Sequence, residues 1–399
     1  MSSMKSPALV LLTLLCPALV WVTYDLGIRA RPLVVPSVTA FAISDSRRPA
    51  SDASIKTLWR KVGKNPRKML SSNVNHYWAW MKENAELHLD SSLLIDGVVI
   101  GDPHLKNVLD IENNLNKRQL SVVDLDDGGR APLLLDAVRL MTILKVSDLR
   151  FKYREMYEAY LAGLGGQVAD VPDEVARALT TTHKTTEDDR LRYLAKKTQG
   201  HRFLYDKLEL KSSAQMTRAQ KTELRAALKA SKEFFKMQNW EAVDYGVRIN
   251  DSGSSMGLER YWVLVQKDGQ LDQIIEFKKM AKPATEFYQE QLNTSDRTDE
   301  IRAVYGENLS LQFQLINAGD LSFWMRPRHS NLVDLDRDPF DKDSFQHQWG
   351  LYLCNWLGQK QRLMEVGRDL LKRIQKNDDI KSKLEDLSRA YIDEVTSYD

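Results

Sequence analysis

The sequence predicts an α+β protein of two lobes, one rich in helix and the other a small antiparallel β lobe. Three observations predict it. Two β-patterned runs, "SLLIDGVVIGD" and "QLSVVDLDD", stand inside otherwise helical surroundings. The texture changes after Asn239, where strand and turn alternate through "YGVRINDSGSSMGLERYWVLVQKDGQLDQIIEFKKM". Helical patterning then returns over residues 336–399. A chain of 399 residues, 43% hydrophobic and 28% charged, is long enough for both lobes and an appendage.

In chain order, residues 1–25 read as a signal peptide or membrane anchor. The apolar run over residues 7–22 lies behind Lys5 and is short of the roughly 20 residues of a full span. Membrane contact is expected through this run, which makes the protein membrane-associated or exported. The side is undecided, because Lys5 before the run is balanced by Arg29 and Arg31 after it. Residues 26–53, rich in Pro, Ser and Ala, read as a linker. Residues 54–238 form the helix-rich lobe, with Trp59, Met69, Tyr77, Trp80 and Met81 available for one face of its first helical stretch. The two β-patterned runs follow, separated by a hydrophilic hairpin. "PLLLDAVRLMTILKV" is a buried helix opened by Pro132. Residues 147–243 are mostly helical, with a long segment over 217–237. Residues 239–335 form the β lobe, in which "PATEFYQEQL" is expected to be helical. Residues 336–399 are helices that pack back on the first lobe.

Two cysteines, Cys16 and Cys354, allow neither a disulfide framework nor a thiolate metal site. A net charge of +2, with no clustered Lys/Arg interleaved with aromatics, argues against nucleic acid as a partner.

The chemistry-bearing residues are Asp102, Asn107 and Asp124. The first run ends in Gly101-Asp102-Pro103-His104-Leu105-Lys106-Asn107, and the second delivers Asp124 to a Gly-Gly turn. Phosphoryl transfer needs a carboxylate near the acceptor hydroxyl and oxygen ligands that hold Mg²⁺ against the phosphates. Asp102 suits the first task, and Asn107 and Asp124 suit the second. The spacing Asp-x-x-x-x-Asn, then apolar-apolar-Asp on the next strand, is that of a kinase catalytic loop and its metal-binding aspartate. With His104 two positions after the acid, the loop resembles those of aminoglycoside and choline phosphotransferases. Asp136 matches the helix aspartate that supports the loop in that group, and His104 is expected to brace it. Lys106 is placed to neutralise a transferred phosphoryl group. The glycine turn and strand lysine that complete such a site stand downstream: Gly253, Ser254 and Gly257 in the turn, then Lys278 (or Lys279) on the third strand, with Glu290 or Glu286 as its ion-pair partner.

In this order the motifs resemble the bacterial family called domain of unknown function 2252, over roughly residues 54–360. The family's loop, acidic strand end, supporting helix, glycine turn, strand lysine and strand-terminal arginine match residues 101–107, 124–127, 136–140 and 252–257, Lys278 and Arg326. The resemblance implies a circularly permuted, protein-kinase-like two-lobe fold using ATP and Mg²⁺. It also implies that the acceptor is an unknown small molecule or protein bearing a hydroxyl, and that Arg326 contacts phosphate or substrate. A structural ion pair is the other role open to Arg326. The alternative reading is a catalytically weak or inactive pseudokinase that serves as a membrane-tethered binding module, favoured by the serine-rich turn with its bulky Met256. Two other matches are weaker. "GDPH" also opens some metallophosphoesterases, but their further Gly-Asp and Gly-Asn-His motifs are absent. "DLDD" matches a terpene-cyclase acid motif, which the β lobe argues against.

Overall fold

A computed structural model describes residues 65–397, apart from 114, 116, 149, 182, 250–256, 307–308 and 329–341. The apolar run at 7–22, the linker, and the turn residues Gly253 and Ser254 therefore lie outside the described residues. Among the described residues, no helix is long and apolar enough to cross a membrane.

The fold is mixed α+β. Helices α1 (Pro66–Ser72) and α2 (Val74–His88) open it, the first capped by the Asn65 side chain. Met69, Tyr77 and Met81 are buried as their spacing predicts, but the innermost indole is Trp78, while Trp80 is only half-buried. Strands β1 (Asp96–Val99), β2 (Val108–Glu112), β3 (Arg118–Val122) and β4 (Gly129–Pro132) follow. Here the sequence expectation needs correction. The two acid-ending runs do not pair with each other: β1 pairs with β4, and β3 pairs with β2, a strand inside the segment expected to be hairpin. Each run thus closes its own small ladder, and the two acid ends are brought together by loops.

Pro132 ends β4 and immediately precedes α3 (Leu133–Ser147), whose residues 133–144 are all buried. Then come α4 (Tyr153–Leu164), α5 (Asp173–Leu179), α6 (His183–Lys197), a hairpin of β5 (Thr198–Gln199) and β6 (Arg202–Phe203), α7 (Tyr205–Leu208) and β7 (Lys211–Ser212). The long helix expected over 217–237 is two helices, α8 (Arg218–Ala230) and α9 (Lys232–Met237), broken at Ser231. Thr217 and Gln220 form a reciprocal capping box at its start.

The β lobe is built from β8 (Glu241–Ile249), β9 (Glu259–Lys267), β10 (Gln270–Lys279), β11 (Gln314–Ala318) and β12 (Leu321–Pro327). With β7 they form a six-stranded antiparallel sheet in the order β11-β12-β10-β9-β8-β7. Asp268 and Gly269, both at positive φ, make the tight β9–β10 turn that Lys-Asp-Gly predicts. One face packs under α8 and α9 through Leu224, Ala227, Phe234 and Phe235. The lobe therefore recruits residues 211–237 and begins before residue 239. The expected helix at "PATEFYQEQL" is only a 3₁₀ turn, Ala284–Phe287, and the true helix is α10 (Thr294–Tyr305), capped by Asn293. Helices α11 (Lys342–Arg362), α12 (Glu365–Ile374) and α13 (Ile380–Thr396) share one core with α1–α4.

Candidate functional site at the acidic loops

The first loop begins at Gly101, where φ is +81°. A Cβ at this position would overlap the Asp127 carbonyl, so only glycine lets the two acid-bearing loops touch. Asp136, at the start of α3, accepts the backbone N–H groups of Ile100 and Gly101, each at 3.0 Å. It is fully buried, and burial pushes its carboxyl up to about 7 against the pull of those two amides and Arg139. Two indoles hold the loop's carbonyls: Trp78 donates to Gly101 O at 2.8 Å and Trp349 to Leu105 O at 3.2 Å.

Asp102 is 4% exposed. Its Oδ1 accepts Nε of Arg139 at 3.0 Å and also Nη2 of the same guanidinium, while Oδ2 lies 3.7 Å from His104 Nε2. Burial lowers the His104 pKa against the pull of Asp102, so the ring favours its neutral form. Its Nδ1 accepts the Lys106 amide at 3.1 Å, and Lys106 itself is exposed. Asn107 stitches the loops together. Its Nδ2 donates to Asp102 O at 3.0 Å and to Asp124 O at 3.3 Å, and its Oδ1 accepts the Asp124 amide at 3.0 Å.

Lys278 arrives from β10. Its side chain is 0% exposed, and Nζ lies 2.8 Å from both oxygens of Asp124 and 2.9 Å from Asp126 Oδ2. Burial and the Asp126 carboxylate push Asp124 above the usual carboxylate range, against the pull of Lys278 and Arg326. Arg326 sits 3.6 Å from Asp124 and donates to Val123 O at 3.3 Å.

No family model, curated protein or solved structure matches the chain.

The fold therefore gathers Asp102, His104, Asn107, Asp124, Asp136, Lys278 and Arg326 from five separate segments. It does not bring in the proposed glutamate partner of Lys278. Glu290 is exposed in a loop, and Glu286 faces Lys282 at 3.6 Å. The lysine's ion pairs are instead with the two aspartates, because the segment expected to be a helix beneath it makes a single 3₁₀ turn. Gly257 is exposed, with φ at +84°. Arg326 takes the structural role, pairing with Glu276 at 2.9 Å and facing Asp124 at 3.6 Å.

Several contributors carried no assigned role in the sequence reading. Arg139 lies one helical turn after Asp136, so both reach the loop from one face of α3. Asp126 lies two residues beyond Asp124, and Glu276 two before Lys278 on the same strand face. Those spacings were legible. Arg297 was not: from α10 it donates to the carbonyls of Leu125 at 3.2 Å and Asp126 at 3.3 Å, and to that of Gly128 at 2.5 Å, a pairing that only the tertiary fold creates.

Proposed function

We propose that the chain is a kinase-like, Mg²⁺- and ATP-dependent phosphotransferase of circularly permuted order, acting on a hydroxyl-bearing acceptor and related to the domain of unknown function 2252 family. The observation that carries this reading is Lys278. A lysine on β10, the third strand counted from β8, is buried against the aspartate pair at the end of β3. Asn107 binds that pair's backbone to the Asp102 loop. Glycine turn, third-strand lysine, catalytic-loop Asp and Asn, and strand-end Asp are the parts a protein kinase needs.

The donor set fits Mg²⁺. Asp124 and Asp126 offer hard oxygens, and Asn107 Oδ1 keeps a second lone pair beyond its bond to the Asp124 amide. Among the described residues no group of three or more His, Cys, Asp or Glu side chains could hold a metal ion. Mg²⁺ would therefore have to be held by one or two carboxylates together with substrate phosphates. When bound, the ion would supply charge neutralisation at the phosphates. The chain's own residues do the rest. Asp124 and Asp126 hold the Lys278 ammonium beside the Asp102 loop, Asp136 fixes the backbone that presents Asp102, and Asp102 Oδ2 is the oxygen available to accept from an acceptor hydroxyl.

A second reading has its own observation. Asp102 is almost wholly buried and bound by Arg139, an arrangement that favours a nucleotide-binding module with weak or lost catalysis. Calorimetric titration of Mg²⁺·ATP into the full chain tests the first part. Binding that requires Mg²⁺ and disappears in Asp124→Asn is expected, and no binding by folded wild type would sink the nucleotide reading. Turnover then separates the two. ATP hydrolysis or transfer that is lost in Asp102→Asn supports the enzyme, and binding without any turnover supports the module.

A further inference from the structure

The lysine that should meet phosphates in this reading is already spent. Lys278 has no exposed surface and faces two carboxylates. Two residues back on the same face of β10 stands Glu276, also 0% exposed. Around it converge Arg326 at 2.9 Å, Arg328 at 3.1 Å and Arg260 at 3.6 Å, while the Trp262 indole donates to it at 3.0 Å. Burial pushes the Glu276 carboxyl up, but Arg328, Arg326 and Arg260 outweigh it and hold the group well below the usual carboxylate range. Glu276 is therefore a fixed anion at every ordinary pH, and its office is to hold arginines.

Arg328 is held loosely among them. It donates to Glu276 from Nη1 alone, its guanidinium stacks over Trp262 at 4.6 Å, and its Nε, although buried, has no hydrogen-bond partner. The side chain is 27% exposed, the most open of the three. A guanidinium offers five donors in a planar fork matched to phosphate oxygens, and most of this one's are unspent. Beyond Trp262 the same sheet face is apolar but already covered: Trp262, Leu264 and Ile274 pack under Leu194, Phe203, Leu208 and Leu210 of the helical segment. At this end of the face, then, a neutral aromatic ring finds its apolar surface taken, whereas an anion finds arginines.

We propose that Arg328, with Arg326 and Arg260 beside it, is the phosphate-recognising group of this site, and that the site takes a ligand carrying two or more phosphoryl groups. The proposal rests on the nucleotide reading for its biological ligand, but its chemistry is testable without a nucleoside. The probes are inorganic tripolyphosphate, adenosine and Mg²⁺·ATP, titrated calorimetrically into the full chain as wild type, Arg328→Gln, Arg328→Lys and Asp124→Asn.

Tripolyphosphate is expected to bind wild type, to weaken as salt is raised, and to bind Arg328→Gln about 10-fold or more weakly. Adenosine is expected not to compete. Arg328→Lys keeps the charge but not the fork and should fall between the two; it carries the test if the Gln variant fails to fold. Equal tripolyphosphate affinity in wild type and the Arg328 variants overturns the proposal, as does binding of Mg²⁺·ATP without any binding of tripolyphosphate. The latter result leaves the nucleotide reading standing. Arg328-dependent tripolyphosphate binding that Asp124→Asn does not alter, with no added affinity for Mg²⁺·ATP, would keep the anion site and remove the nucleotide reading.

Discussion

Asp136 shows how one side chain can hold a site without touching a ligand. Its two oxygens take the amides of Ile100 and Gly101, and those bonds set the direction in which Asp102 leaves the chain. The same burial that makes it rigid raises its carboxyl from 3.8 to about 7. The folded state therefore keeps a proton that the unfolded chain has released, and this residue's contribution to stability falls as pH rises from about 4 to about 7. Denaturant titrations of wild type and Asp136→Asn across that range should show the gap between them narrowing with pH. The variant should be less stable by roughly 1–3 kcal/mol at the acid end, because its NH₂ would face one of the two backbone N–H donors that separate carboxyl oxygens now accept. A gap independent of pH would mean that Asp136 does not titrate in this window.

Among elements, the loops matter more than the strands they follow. The acid-ending runs were expected to be neighbours in one hairpin, yet each pairs elsewhere, and the approach of the loops is made at Gly101 against the Asp127 backbone. Gly101→Ala should combine left-handed backbone strain with a direct clash and cost roughly 2–4 kcal/mol, measured by urea unfolding. A loss below about 1 kcal/mol would show that the two loops can separate freely. The β9–β10 turn follows its local chemistry, because Asp-Gly punctuation acts within a few residues. The segment after β10 does not. "PATEFYQEQL" has a helix start signal at Pro283, but past one 3₁₀ turn Gln289 and Gln291 bond the Arg130 carbonyl on β4, and the helix forms ten residues later behind Asn293.

For the whole molecule, the helix-rich lobe is completed by the far end of the chain. Helix α13 sends Ile380, Leu384, Leu387, Tyr391 and Val395 into the core shared with α1–α4, and Ser388 bonds Thr142 and Tyr153 at 2.7 Å each. Burying five such side chains at ~2 kcal/mol each contributes about 10 kcal/mol, as much as the net stability of a typical domain. Removing residues 378–399 should therefore abolish cooperative thermal unfolding followed by circular dichroism. A sharp melt in the truncated chain would show α13 to be peripheral. The lobe's dependence on its C-terminus also explains why Trp349, on α11, can hold the Asp102 loop from far along the chain.

By itself the sequence determined the α+β class, the strand–turn–strand run of the β lobe from β9 to β10, the helical return at the C-terminus, and the acids and the Lys278–Lys279 pair as candidates. Those features follow from periodicity, turn chemistry and short motif spacing, all of which act within a few residues. The tertiary structure alone decided the pairings. Lys278 went to Asp124 and Asp126 rather than to a glutamate, Asp102 to Arg139, Arg297 to three loop carbonyls, and three arginines to Glu276. The physical reason is the same in each case. A buried charge must find an opposite charge or a hydrogen-bond partner, and which one it meets is set by how distant elements pack.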